Sequence, residues 1–259
     1  MIIVLAAGVV PAAAQHTLGV IAGYGSATAR FYPKQETRSV WGMYSGGLTW
    51  RYYSPQRVVG GFGADLEWVQ QGFSFVPNVS QYEDESEYVY YSRTVSSLML
   101  PIVWQPHVYL FRNRLRIYFE AAATFWYNLG STYRNDVAHE AGAVDWEGSY
   151  DFKTARDNRL GYGLAGGGGL ELLFGRFELN VRARYYFGLS DLLRNRNKYY
   201  GNTIDGSENP FWATPLRSPI DMMTFSVGMN YRFHAAGFNE WFVKRPKREK
   251  NIESFDYKF

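Results

Sequence analysis

Apolar and polar residues alternate along most of this chain with a period of two. In "RFELNVRARYYFG" (Arg176 to Gly188), Glu178, Asn180, Arg182 and Arg184 interleave with Leu179, Val181, Ala183 and Tyr185. That is the period of a β-strand, whose successive side chains point to opposite faces. In "LRIYFEAAATFWYN", Leu115, Ile117, Phe119, Ala121, Ala123, Phe125 and Tyr127 oppose Arg116, Glu120, Thr124 and Asn128. "VVGGFGADLEWVQQG", "LGYGLAGGGGLELLF" and "MTFSVGMNYRF" repeat the pattern, setting Phe62, Leu66, Leu170, Leu172 and Val227 against Asp65, Glu67, Glu171 and Arg232. Less regular stretches at 16–26, 41–53 and 89–106 bring the expected number of strands to about eight.

The connections between these segments alternate in length. "TARFYPKQETRSV", "SFVPNVSQYEDESEY", 130–158 and 189–221 are long, whereas "SPQR", "LFRNR" and "FGR" between them are short. Long structureless connections are uncommon in compact soluble domains, but transmembrane β-barrels combine short periplasmic turns with longer extracellular loops. The fold expected is therefore all-β: a transmembrane antiparallel up-and-down barrel of about eight strands, with both termini periplasmic. A soluble sandwich or lipocalin-like barrel, with its apolar face inside, is the alternative.

The charges on the polar face favour the membrane reading. Asp65, Glu67, Glu120, Glu171 and Glu178 are nearly balanced by Arg116, Arg182, Arg184 and Arg232, and guanidinium and carboxylate pair bidentately when confined. These nine residues are the expected lumenal ion-pair network, and the apolar face is left for lipid. Trp50, Tyr53, Trp68, Trp104, Trp126, Tyr185 and Phe233 lie toward strand ends, as the aromatic girdle of a membrane barrel does. The interior of an eight-stranded barrel is only wide enough for side chains to fill. A plugged lumen follows, with Gly161, Gly163, Gly167 and Gly169 leaving local room.

Over the whole 259 residues, 27 Lys and Arg face 24 Asp and Glu, so the charge gives no case for nucleic acid as a partner. No metal-ligand cluster or phosphate-binding loop stands out, no cofactor is implied, and no catalytic residue is assigned. Histidine is scarce; only His139, beside Glu140, falls in a long connection. "MIIVLAAGVVPAAAQ" reads as the apolar core and small-residue cleavage site of a signal peptide spanning 1–14. No Lys or Arg precedes Arg30, so its basic segment is expected upstream of Met1. The barrel then covers 15–233. "FSVGMNYRF", ending on Phe233, resembles the terminal strand signal of outer-membrane barrels. Residues 234–259 read as a periplasmic tail, with the basic Lys244, Arg245, Lys247 and Arg248. Its aromatic residues Trp241, Phe242, Phe255, Tyr257 and Phe259 are candidate anchors for a docking partner.

"MYSGGLTWRYYSPQRVVGGFGADLEWVQQGFSF" followed by "SSLMLPIVWQPHVYLFRNRLRIYFEAAATFWYNLG" resembles the Bacteroidota outer-membrane β-barrel family that includes PorT-like, porin-family proteins. Asp65, Leu66, Glu67, Trp68 and Gly72 match one family strand, and Leu98, Leu100, Pro101 and Ile102 match the next. Met99 departs from the pattern, standing where the family has Glu. The resemblance implies type IX-like secretion for members related to PorT. The plugged lumen, lipid-facing wall, large outer loops and periplasmic tail point to a non-enzymatic accessory or structural subunit of an envelope complex, for protein secretion or outer-membrane biogenesis. Its partners would be outer-membrane lipid and other outer-membrane or periplasmic proteins. A narrow porin or small-ligand channel is the alternative, and an outer-membrane enzyme a more distant one.

Overall fold

The computed structural model describes residues 15–32, 34, 37–53, 60–75, 91–111, 114–135, 142, 147–152, 157–194 and 217–233. Within them are eight long strands: β1 (Gln15–Ala29), β2 (Val40–Tyr53), β3 (Gly61–Phe75), β4 (Tyr91–Gln105), β5 (Leu115–Asn135), β6 (Leu160–Phe174), β7 (Phe177–Gly188) and β8 (Ile220–Arg232). Each pairs antiparallel with its neighbours in sequence. β8 then pairs back onto β1, from Thr17↔Arg232 to Ala29↔Ile220, and the sheet closes. No described helix is long and apolar enough to cross a membrane. The segments read as signal peptide (1–14) and tail (234–259), and His139 with its surroundings, lie outside the described residues.

Three short pieces extend the ring. Thr37–Arg38 pairs with the end of β3, and Glu147–Ser149 with the end of β5. His107–Leu110 continues β4 past Pro106 and pairs with the start of β5. Pro106 has no N–H to give to the ladder, but its carbonyl still accepts from the Phe119 N–H at 3.1 Å. At the same end, β6 and β7 are joined by Gly175 and Arg176 alone. Gly175 has φ of 57°, the sign a two-residue hairpin with glycine at its first central position requires. With an even number of antiparallel strands, β1 begins and β8 finishes at this short-turn end.

The alternation in the sequence becomes an inside and an outside. Phe62, Leu179 and Val227, on three different strands, all lie exposed on the exterior, the reverse of a soluble barrel. Val20, Leu48, Leu66, Ile102, Leu170, Val181 and Met229 complete the apolar wall. The interior is layered along the axis. Two ionic layers occupy the half near the short turns. The other half gathers Met43, Val69, Val95, Met99, Trp126, Ile220 and Met222 in one buried apolar cluster, beside which lie the hydrogen-bonded Gln71, Ser97 and Asn128 and, nearer the far rim, Arg93 with Asp157. Phe31, Leu192 and Leu193, from the long connections, close that cluster at the far rim.

The inward glycines of β6 leave no void. A Cβ at Gly161 would run into the Trp126 indole, and one at Gly169 would meet the Tyr118 ring and the Val181 carbonyl. The room they provide is taken by these two aromatic side chains from β5. Gly161→Val is expected to destabilise the barrel by about 1–3 kcal/mol through overpacking. The Trp126→Ala background should relieve part of that cost, giving a measurable coupling between the two sites. Urea titration of lipid-reconstituted variants would show it.

Candidate functional site

The polar side chains of the lumen form two ion-pair clusters. The first draws on β2, β3, β5 and β7. Asp65 and Glu67 of β3 and Arg182 and Arg184 of β7 stand on opposite walls, four strands apart, and meet across the centre. Arg182 reaches Asp65 at 3.0 Å and Glu67 at 2.6 Å. Arg184 reaches Asp65 at 2.9 Å, Glu67 at 3.3 Å and Glu120 at 2.5 Å. Arg51 pairs with Asp65 and donates from Nε to Gln105 at 2.9 Å. The Tyr186 hydroxyl donates to Glu67 at 2.7 Å. Three guanidiniums thus face three carboxylates, all buried.

The second cluster lies nearer the short turns. Arg116 pairs with Glu171, and with Glu178 at 3.1 Å. Arg232 donates from Nε to the same Glu178 at 3.0 Å, and the Asn180 amide donates to Glu171 at 2.7 Å. Arg116 also stacks on the Tyr53 ring, its guanidinium carbon 3.8 Å from the centroid, and donates to the Tyr109 hydroxyl at 3.2 Å. Here two cations face two anions. The two clusters are neutral separately, which is what burial away from water demands of fixed charge.

All nine residues read as lumenal from the sequence are therefore buried, and each takes part in one of the two ion-pair clusters. Two arginines join them that the sequence reading left out. Arg51 alternates with Trp50 and Tyr52, so its strand parity carried the signal. Arg93, inside the barrel near the far rim, pairs at 3.3 Å with Asp157 and stacks on Tyr150. Its partners come from a long connection whose path no periodicity reveals. Of the proposed girdle, Trp50, Trp68, Trp104, Tyr185 and Phe233 are exposed on the exterior. Trp126 and Tyr53 are corrections: Trp126 is only 8% exposed and points inward, over the β6 glycines. It shares the parity of Arg116 and Glu120, so alternation overrides its aromatic character. Tyr53 turns inward beneath Arg116 for the same reason. The tail residues Trp241, Phe242, Lys244, Arg245, Lys247, Arg248, Phe255, Tyr257 and Phe259 lie outside the described residues.

Little space remains among these groups. A cavity of about 10 Å³ sits between the two ionic clusters, bordered by Thr49, Arg51, Gln105, Asn180, Arg182 and Asn230. That is room for about one water molecule. Among the described residues, no three His, Cys, Asp or Glu side chains are grouped to hold a metal ion. The arrangement can brace opposite walls and exclude solute from the lumen.

The model of the outer membrane protein beta-barrel domain family matches residues 13–194. This chain belongs to that family. Among solved structures it is similar to Neisserial surface protein A, at 9% identity over 84% of this chain and 97% of that one, with a TM-score of 0.42. It is similar to Ail, the attachment invasion locus protein of Yersinia pestis, at 13% identity over 84% and 98%, with a TM-score of 0.36. The N-terminal barrel domain of Pseudomonas aeruginosa OprF aligns at 15% identity over 83% and 97%, with a TM-score of 0.28. No curated protein matches the chain.

For an outer-membrane barrel the exterior is solvated by lipid, and the exposed side chains are graded accordingly. Trp50, Phe62, Trp104, Phe174, Phe177 and Phe233 mark one end, and Tyr24, Tyr44, Tyr127, Tyr162, Tyr185 and Phe187 the other. Aliphatic residues fill the band between. From Phe177 to Tyr185 the strand covers about 27 Å, close to the apolar band height of such barrels once tilt is allowed for. Val227, 55% exposed at mid-band, is the position at which a charge should cost most. Val227→Arg is expected to lose about 2–4 kcal/mol and Phe233→Arg at the rim only about 0–1, read from unfolding titrations in lipid vesicles.

Ionic contacts in and outside the lumen should differ in weight. Arg184→Met strands Glu120 and part of Asp65 in the interior and is expected to cost about 3–5 kcal/mol. Arg217, whose side chain is 54% exposed, pairs with Asp191 at 3.1 Å; Arg217→Met should cost under about 1 kcal/mol. The same titrations would separate them.

Proposed function

We propose that this protein is a non-enzymatic outer-membrane barrel acting as a structural or accessory subunit of an envelope assembly. The observation that carries this reading is the filled lumen, crossed by Arg182 and Arg184 from β7 to Asp65 and Glu67 of β3. Among the described residues the ion-pair clusters leave a cavity of only about 10 Å³ between them, so in this reading the useful surfaces are the rims and the wall. The resemblance of the β3 and β4 segments to PorT-like proteins supports protein secretion or outer-membrane biogenesis as the setting. In this reading the short-turn end, with both termini, faces the periplasm. The basic and aromatic tail, 234–259, extends from that end as a docking segment.

Two measurements test the proposal. Reconstituted into planar bilayers, the protein is expected to give no stable unit conductance; regular single-channel steps would favour a narrow porin instead. Affinity purification from native membranes is expected to recover partner proteins, and removal of residues 236–259 to release some of them. Recovery as a lone monomer would overturn the accessory role, and unchanged co-purification after truncation would overturn the role of the tail.

A further inference from the structure

The rim opposite the chain termini is asymmetric. β3, β4 and β5 run on past the point at which β2 leaves β3, after the pair Ser45↔Val69. β2 instead stays with β1, and Gly42 is bulged out between Met43, opposite Gly25, and Trp41, opposite Ser26. Gly42 has φ of 87°, a conformation that residues with a side chain rarely adopt. Across the opening, β4 and β5 shift register between Ser96 and Ser97. Bulges at barrel rims re-aim side chains and recur beside functional sites. Of the two here, the first lies between Trp41 and Met43, which line a cleft of about 610 Å³, within the roughly 300–1,000 Å³ of small-molecule sites; the second is two residues along β4 from Thr94 on the far wall.

The walls of the cleft differ in chemistry. On one side stands Trp41, 62% exposed despite its size. On the other, Ser92 and Thr94 of β4 lie directly opposite Arg134 and Thr132 of β5, and Glu147 lies opposite Arg134 in turn. The far wall thus carries a lattice of three hydroxyls ending in one cation and one anion, and Val40, Met43 and Tyr133 border the cleft as well. We infer that this cleft binds an uncharged sugar unit of an oligosaccharide. A pyranose ring has an apolar C–H face that packs on an indole, and a rim of hydroxyls that both donate and accept hydrogen bonds. Tryptophan supplies that flat contact at low entropic cost, and Ser, Thr, Arg and Glu supply donors and acceptors of both kinds. An acyl chain would leave the hydroxyl lattice unpaired. A polyanion would gain no net attraction, because Glu147 stands against Arg134. The inference uses only the rim and is independent of the assembly role proposed above.

The test is saturation-transfer NMR on the whole protein in detergent micelles. The probes are the uncharged oligosaccharides chitotriose, mannotriose and maltotriose. At least one is expected to receive saturation on its ring protons, with binding lost at least tenfold in Trp41→Ala and severalfold in Thr94→Ala combined with Thr132→Ala. Heat-modifiable electrophoretic mobility would verify that each variant remains a folded barrel. Absence of transfer to every probe would overturn the inference, and so would transfer unaltered by Trp41→Ala. Binding confined to a polyanion such as heparin would overturn it as well.

Discussion

Closure of β8 onto β1 is the constraint from which the rest of the structure follows. In hydrocarbon there is no water to satisfy an open edge, and each unpaired backbone group costs several kcal/mol. Thirteen consecutive residue pairs, from Thr17↔Arg232 to Ala29↔Ile220, remove that edge. Closing a ring of only eight strands fixes its bore, and the bore fixes what can occupy it. Long side chains from one wall must then meet short ones from another. The glycines of β6 opposite Trp126 and Tyr118, and the β7 arginines reaching β3, are two solutions of the same packing problem.

Charge is a less obvious filling than leucine. Replacing a buried ion pair by apolar residues of similar volume is often neutral or stabilising, so added stability does not explain five arginines and five carboxylates in the two lumenal clusters. Register offers a better reason. A strand slipped by one residue exchanges its two faces, and in a barrel bathed in lipid a strand apolar on both sides would have little to lose by slipping. With Glu178, Arg182 and Arg184 on one face of β7, a slip would expose three charges to hydrocarbon. The ionic lumen thus specifies which side of each strand faces inward. Its separate neutrality in two layers keeps that device from leaving an uncompensated charge at either level.

Much of this was legible in the sequence because the side-chain period of a strand admits only two outcomes. Strand parity assigned Glu67, Glu120, Glu171 and Arg182 to one face, and each forms an ion pair there. The same parity would have placed Arg51 and Trp126 inside; reading Trp126 by its aromatic character instead of its position put it on the wrong side. What period could not carry was pairing over distance. That Asp65 meets Arg182 depends on β3 and β7 being opposite walls, a property of closure rather than of either segment. The Arg93–Asp157 pair depends on the course of a long connection, and the rim cleft on two bulges, each of which interrupts the alternation that made the strands visible.

The distribution of order along the barrel bears on where recognition can reside. A body braced by cross-lumen ion pairs and a continuous hydrogen-bonded ring is a rigid support, and binding residues are most effective when such a support positions them. The irregular features of this barrel lie at its rims. Gly42 and the register shift at Ser96/Ser97 occur where the ring no longer needs to be regular, beyond the aliphatic band that lipid must cover. There the outward face changes from Leu98 and Leu100 to Ser92 and Thr94 within one strand, β4. A polar outward face cannot have been selected by lipid, and a bulge that costs ladder hydrogen bonds is not needed for closure. Both point to solvent-side chemistry at this rim, carried by a body braced across its lumen by ion pairs.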